Sequence, residues 1–152
     1  MNKTISTILL STATLSILGK SKYMPGTIGS FAAIPIFYCF SNKILLFKLL
    51  FFIFIFIIAI ISSDYYEKFY NIKDPKSIII DETCGYMLVL LFIPFTYSYL
   101  ISSFILFRVF DIIKLYPIKK IESIKGGFGI VLDDIAAGCY TLAVLWLWIV
   151  LI

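Results

Sequence analysis

Residues 44–62 read ILLFKLLFFIFIFIIAIIS, a run broken only by Lys48. A helix needs roughly 20 apolar residues to cross a bilayer core, about 17 at minimum. Lys48 lies near one end of the run and can extend its ammonium to the interface. The stretch therefore predicts a membrane-crossing helix. Outward from it, Ile135–Ile152 is also free of charge and carries Trp146 and Trp148, which suit an interfacial belt. Thr83–Phe107 is uncharged too, but Pro94 and Thr96-Tyr97-Ser98-Tyr99 interrupt it. It reads as one kinked span or as two short helices in a hairpin. Ile5–Leu18 and Ile28–Phe40 are too short for plain crossings and are expected to be tilted, re-entrant or interfacial.

Composition agrees with this reading. The 152 residues are 61% apolar and 14% charged, with a mean hydropathy of +1.03, whereas soluble domains run near 45–50% and 25%. No small globule could cover itself in water with so few polar residues. Nearly all charge falls in three segments, Gly19–Ser30, Ser63–Glu82 and Asp111–Asp134. All three are lysine-rich, which puts them on the cytoplasmic face. Two hairpins satisfy that parity: Ile28–Phe40 with Ile44–Ser62, and Thr83–Phe92 with Ser98–Phe110. Gly19-Lys20-Ser21-Lys22 lacks the small-x-small pattern of a signal-peptide cleavage site. With no repeats or linkers, residues 1–152 read as a single domain.

The chain has no histidine, which excludes His nucleophiles, His bases and His-ligated metals. Cys39, Cys84 and Cys139 lie far apart in apolar surroundings, without zinc or redox spacing. The net charge of +4 comes from a lysine-dominated set in which Arg108 is the lone arginine. That balance reports membrane orientation, and no nucleic-acid partner is expected.

Five of the nine acids, Asp81-Glu82, Asp111 and Asp133-Asp134, stand where polar segments meet apolar runs. Carboxylates near a membrane are costly and usually have a task. Brought together they would repel unless a cation sat among them, and an oxygen-only ligand set suits a hard ion such as Mg²⁺. Helix capping competes with this reading for Asp81 and Asp134, and Glu82 could simply favour a helix dipole. Capping explains Asp111 poorly. Arg108 and Asp111 share a helix face at three-residue spacing. They form either a plain ion pair, or a unit in which the guanidinium fork grips a phosphate. Pro25-Gly26-Thr27-Ile28-Gly29-Ser30 offers N–H groups and two hydroxyls for an anion. Gly126-Gly127-Phe128-Gly129 permits a close backbone approach before Asp133-Asp134. Both glycine-rich segments could equally be turns, and neither is a Walker A loop or a dinucleotide fingerprint.

Taken together, these motifs resemble the phosphatidylglycerophosphatase A family. The resemblance rests on residues 25–30 with Ala33 and Pro35, and on Asp74-Pro75 followed by Ile79-Ile80-Asp81-Glu82 and Gly85. It continues through Phe107-Arg108-Val109-Phe110-Asp111-Ile112 with Lys114, Pro117 and Ile118. It ends on Gly126-Gly127-Phe128-Gly129-Ile130 with Asp133-Asp134 and Ala137-Gly138. It covers roughly Met24 to Gly138. Leu115 and Val131 depart from the family's usual proline and methionine, and neither change removes a polar group.

The resemblance implies a compact all-α fold, in keeping with the helical spans, within a bacterial inner membrane that the chain crosses several times. It implies a Mg²⁺-dependent phosphatase that converts phosphatidylglycerophosphate to phosphatidylglycerol and phosphate on the cytoplasmic side. Phosphatase chemistries built on His, on Cys-x5-Arg (Leu90 stands six residues after Cys84) or on DxDx[TV] are absent from the sequence. A metal-activated water remains. Asp81, Glu82, Asp111, Asp133 and Asp134 are then the metal and base set, and Thr27, Ser30, Arg108 and Lys114 the phosphate-binding set. The rival reading is a non-catalytic membrane scaffold or cation-conducting protein in which the acids cap helices and line a pore.

Overall fold

The computed structural model describes residues 3–151, and every regular element among them is helical. The α-helices are α1 (Lys3–Ala13), α2 (Pro25–Tyr38), α3 (Leu45–Tyr70), α4 (Ile80–Phe92), α5 (Tyr97–Ile113), α6 (Ile118–Ile121) and α7 (Gly127–Leu151). Ile152, the end of the expected C-terminal span, lies outside the described residues.

Helix α4 is the axis. Ten of its 13 residues are buried, and it packs against α2, α3 and α7, while α5 packs mainly on α7. The core along it runs from Tyr86, Met87 and Leu90 to Ala33 and Phe37 of α2, Phe107 of α5 and Ala137 of α7. The Tyr86 hydroxyl shares a 2.9 Å hydrogen bond with Ser103, which satisfies the one polar atom of a fully buried ring.

Helices α3 and α7 are long and apolar enough to cross a membrane. They differ in how much of that surface the protein covers. Only 11% of the most apolar window of α3 is buried, against 44% for α7. The expected span at Ile44–Ser62 continues to Tyr70, so the charged residues 63–70 are helical rather than loop. No breaker intervenes before Asn71, whose left-handed backbone (φ 52°) ends the helix with its N–H on the Glu67 carbonyl. Within that extension Lys68 pairs with Asp64 at 2.7 Å, one turn apart.

The two expected hairpins are not tight pairs. Helices α2 and α3 meet near their connecting turn, where Phe40 packs on Phe47 and Phe51, and α2 otherwise lies on α4. Between α4 and α5 the chain breaks at Ile93, extended just before Pro94, as proline requires of its predecessor. The two helices then make few mutual contacts, because the best-buried faces of α4 are already taken by α2 and α7.

The third charged segment is likewise more helical than expected. Asp111 belongs to the last turn of α5, and Asp133-Asp134 lie two turns inside α7. Helix α5 stops at Lys114, a non-glycine residue in the left-handed conformation (φ 47°). Helices α4 and α7 approach closely through Gly85 and Gly138. A Cβ on Gly85 would meet the Asp134 carbonyl oxygen at 2.7 Å, and one on Gly138 would meet the Gly85 carbonyl oxygen at 2.8 Å. That crossing of small residues brings the acid-bearing turn of each helix beside the other.

Candidate active site

Asp81 and Glu82 fill the first turn of α4, and the glycine crossing sets Asp134 of α7 against them. One carboxylate oxygen from each of the three lies within 4.8 Å of the others. Asp81 Oδ1, Glu82 Oε2 and Asp134 Oδ1 are buried without any hydrogen-bond partner. Burial pushes the Asp81 carboxyl up to about 6, and the charge of Asp74 adds to this. Glu82 is raised well above its ordinary value, by burial first and then by the charge of Asp81. Capping accounts for none of these acids. The residue before α4 is Ile79, with no side-chain cap bond, and Asp134 is too deep in α7 to cap anything.

These residues fit a divalent cation. Three carboxylates, each with a buried unsatisfied oxygen, form a hard, anionic donor set of the kind Mg²⁺ takes, and leaving such oxygens unpaired is otherwise costly.

The remaining two acids of the expected set face cations instead. Asp111 Oδ2 lies 2.7 Å from Arg108 Nη1. The same Nη1 donates to Ser30 Oγ at 3.3 Å, and the Ser30 hydroxyl donates to the Gly26 carbonyl at 3.1 Å. Arg108 is thereby anchored by one nitrogen. Its Nε is buried without a partner, and Nη2 points at Gly26, where a Cβ would sit 3.1 Å away and collide with Glu82 Oε1. Gly26 is thus glycine because Arg108 and Glu82 converge on it. Ser30, fully buried, positions the guanidinium from behind.

Asp133 Oδ2 accepts from Lys114 Nζ at 2.8 Å, and Glu122 accepts from the same nitrogen at 2.9 Å. Burial alone would lower the Lys114 ammonium, but its bonds and charge attraction to Asp133 and Glu122 outweigh this and raise it. Two carboxylates thus hold the Lys114 ammonium. Asp133 also accepts the Asp134 N–H at 3.0 Å, so this pair steadies the turn that presents Asp134.

A cleft of about 230 Å³ opens onto the site, lined by Gly26, Asp74, Lys76, Asp81, Glu82 and Arg108 among others. Sequence reasoning did not single out Asp74 for the site, and it missed Lys76. Lys76 is exposed at the mouth, with no carboxylate at salt-bridge distance among the described residues. The available signal was its place between Asp74-Pro75 and Asp81-Glu82. Thr27 does not line this cleft but an adjoining groove, on the other side of Arg108. Residues 25–30 are the opening turns of α2 rather than a loop before it, with Pro25 at the first position, where its missing N–H costs nothing. The second glycine segment serves α3: a Cβ on Gly127 would collide with the Ile60 carbonyl, and the Gly127 N–H donates to Asp64 at 3.4 Å.

The four motif regions therefore meet at one end of the bundle. The sequence pattern of the family described as Phosphatidylglycerophosphatase A matches residues 11–149, further in both directions than the motifs alone. The chain belongs to the phosphatidylglycerophosphatase A family. An Escherichia coli (strain K12) protein named Phosphatidylglycerophosphatase A is 32% identical over 131 residues, covering 84% of this chain and 76% of that protein. A Haemophilus influenzae protein of the same name is 38% identical over 78 residues, half of this chain and 48% of that one. A Bacteroides thetaiotaomicron protein with the provisional name phosphatidylinositol-3-phosphatase is 34% identical over 131 residues, covering 81% and 82%. No solved structure matches. As a member of this family the chain is a phosphatase, which displaces the reading of the acids as the lining of a scaffold or cation pore.

Proposed function

We propose that this phosphatase is a Mg²⁺-dependent lipid phosphomonoesterase that hydrolyses phosphatidylglycerophosphate to phosphatidylglycerol and inorganic phosphate. The observation that carries the reading is the trio Asp81, Glu82 and Asp134, each with a buried oxygen lacking a partner, next to a half-free arginine. A Mg²⁺ held by the three carboxylates would act as a Lewis acid on the phosphoryl group and make water a better nucleophile. The protein's own contribution is positioning. Arg108 offers Nη2 to a phosphate oxygen while Asp111 and Ser30 hold Nη1 and fix the guanidinium plane. Lys76 draws the dianionic headgroup to the mouth. Water attacks phosphorus as the bond from phosphorus to the glycerol oxygen breaks; a carboxylate of the acidic set takes the water's proton and passes it to the leaving oxygen, which departs as the alcohol.

The lipid substrate and the surface of α3 support a membrane-integrated enzyme of the bacterial inner membrane. Helices α3 and α7 would cross, the short helices would pack around α4, and the lysine-rich site end would face the cytoplasm. The test is phosphate release by the purified full chain from phosphatidylglycerophosphate, phosphatidylinositol 3-phosphate and phosphatidic acid, with and without Mg²⁺. Fastest release from the first, abolished by chelation, is expected. Equal release without divalent cation, or preference for another lipid, would overturn the corresponding part of the reading.

A further inference from the structure

We infer that the groove between the start of α2 and the outer face of α5 seats the acyl-chain end of the lipid substrate, with Thr27 meeting its glycerol or ester oxygens. This inference rests on the lipid-phosphatase reading above.

The groove has a volume of about 280 Å³ and is lined by Met24, Thr27, Phe104, Ile105, Arg108, Val109 and Ile112. Arg108 is the shared wall: it lines this groove and also the carboxylate cleft. A molecule with its phosphate on the guanidinium thus has a polar cavity on one side and an apolar one on the other. The lining is exposed as well as apolar, Met24 and Ile112 to 68% each and Val109 to 41%. Thr27 is the groove's other polar side chain, and its hydroxyl makes no hydrogen bond among the described residues, unlike Thr83 or Thr141 in the core. Its place beside Arg108, in the groove and not in the carboxylate cleft, suits the part of a lipid between phosphate and hydrocarbon. A free phosphate or a sugar phosphate would leave this surface unused. An amphiphile that is polar at Arg108 and apolar toward Ile112 covers it, and that continuity selects a glycerophospholipid.

The reference state decides how to test this. For a chain already in a bilayer, moving into an apolar groove changes little. For a lipid monomer in water, each buried methylene is worth about 0.8 kcal/mol, up to about fourfold in affinity. The full chain in amphipol should therefore be titrated by calorimetry with monomeric, non-hydrolysable phosphonate analogues of a diacylglycerol phosphate of increasing chain length. Affinity should climb by up to about fourfold per methylene. Val109→Trp and Ile112→Trp, both at exposed positions that tolerate bulk, should each flatten that slope. Ile101→Trp, on the same helix, 61% exposed and outside the groove, should retain it.

A slope that survives both groove variants, or one absent from the wild type, overturns the inference. So does a slope unchanged while Val109→Trp dissociates a dimer, which would assign the groove to a second copy. Because binding is read without turnover, a wild type that shows the slope yet releases no phosphate from any lipid would sink the phosphatase reading and leave the groove standing.

Discussion

The five acids at the site end divide into two groups with different physics. Asp111 and Asp133 each hold a cation at 2.7–2.8 Å. Asp81, Glu82 and Asp134 have no cation within salt-bridge distance among the described residues, and each keeps a bare buried oxygen. Both groups are carboxylates, and the neighbours Asp133 and Asp134 on one turn of α7 fall on opposite sides of the divide, so neither residue type nor helix position explains the split. The difference lies in what the neighbouring helix contributes. Asp111 has Arg108 one turn earlier on its own helix, and Asp133 meets Lys114 at the end of α5. The trio instead meets glycine, Glu82 at Gly26 and Asp134 at Gly85, which brings no cation. The paired acids are neutralised within the chain, and the unpaired acids keep buried oxygens without a partner among the described residues. Strain of this kind persists only where the surrounding structure enforces it.

The same carboxylate-to-amide change on each side of the divide gives the largest test. Asp134→Asn should lower phosphate release by at least about two to three orders of magnitude, the scale of one preorganised electrostatic contact. It should also raise the melting temperature of the metal-free protein, because it removes a charge from a repelling cluster. Asp111→Asn should do the opposite to stability, since it strips Arg108 of its counter-ion, and should cost about tenfold in rate, as outer-shell positioning groups do. Kinetics and metal-free melts on the two variants read both signs. If both lose stability alike, the division is not real.

The next effect is in the pH dependence. The Asp81 carboxyl sits at about 6 in the folded protein against 3.8 ordinarily, so the folded state holds its proton more tightly than the unfolded state does. Stability from this group is therefore full below about pH 4 and is lost as pH rises toward 6, by about 3 kcal/mol at most. The metal-free melting temperature of Asp81→Asn minus that of wild type should grow across this window. Mg²⁺ affinity of the wild type should climb over the same range, because binding needs the deprotonated form. A flat difference would mean that Asp81 already has a partner.

Arg108→Lys probes the seam between the two groups. Lysine can still pair with Asp111, but it cannot also present a second donor in a fixed plane. One charge-assisted bond to the phosphate, about 1.5–3 kcal/mol, should be lost, so the rate should fall by about one to two orders of magnitude. A rate unchanged in steady-state assays would make Arg108 a counter-ion only.

Much of this was legible in the sequence, and the rest was hidden for identifiable reasons. The apolar run 44–62 predicted a long helix, and the lone arginine and the acid doublets were marked as the chemistry. Charge read as loop misplaces the helix ends: residues 63–70 are helical because a charge costs a helix little when it faces outward or finds a partner, as Lys68 and Asp64 do, whereas Asp134 lies buried and unpartnered on α7 beside the crossing at Gly85 and Gly138. The split among the five acids was out of reach. The Arg108–Asp111 pair was readable from its spacing on one helix, but the rest depends on contacts across the bundle, as with Lys114 and Asp133, nineteen residues apart. Lys76 went unnoticed because one lysine in a lysine-rich loop carries no local pattern.

Lys76 gives the smallest expected effect and the finest test of the division. It stands at the cleft mouth as a cation without a carboxylate at salt-bridge distance, a counterpart to the acids that lack a cation. Being exposed, it works through water and salt, and an exposed charge contributes about 1 kcal/mol or less. Lys76→Ala should therefore cost about two- to fivefold in kcat/KM. Most of it should appear in KM, since the headgroup is attracted equally before and during reaction. The defect should shrink as ionic strength rises and the screening length falls below the width of the mouth. Arg108→Lys, acting on a buried contact, should keep its full defect in the same salt series. If Lys76→Ala lowers kcat as much as Arg108→Lys does, and salt does not relieve it, the lysine folds into the cleft and belongs with the groups that touch phosphate.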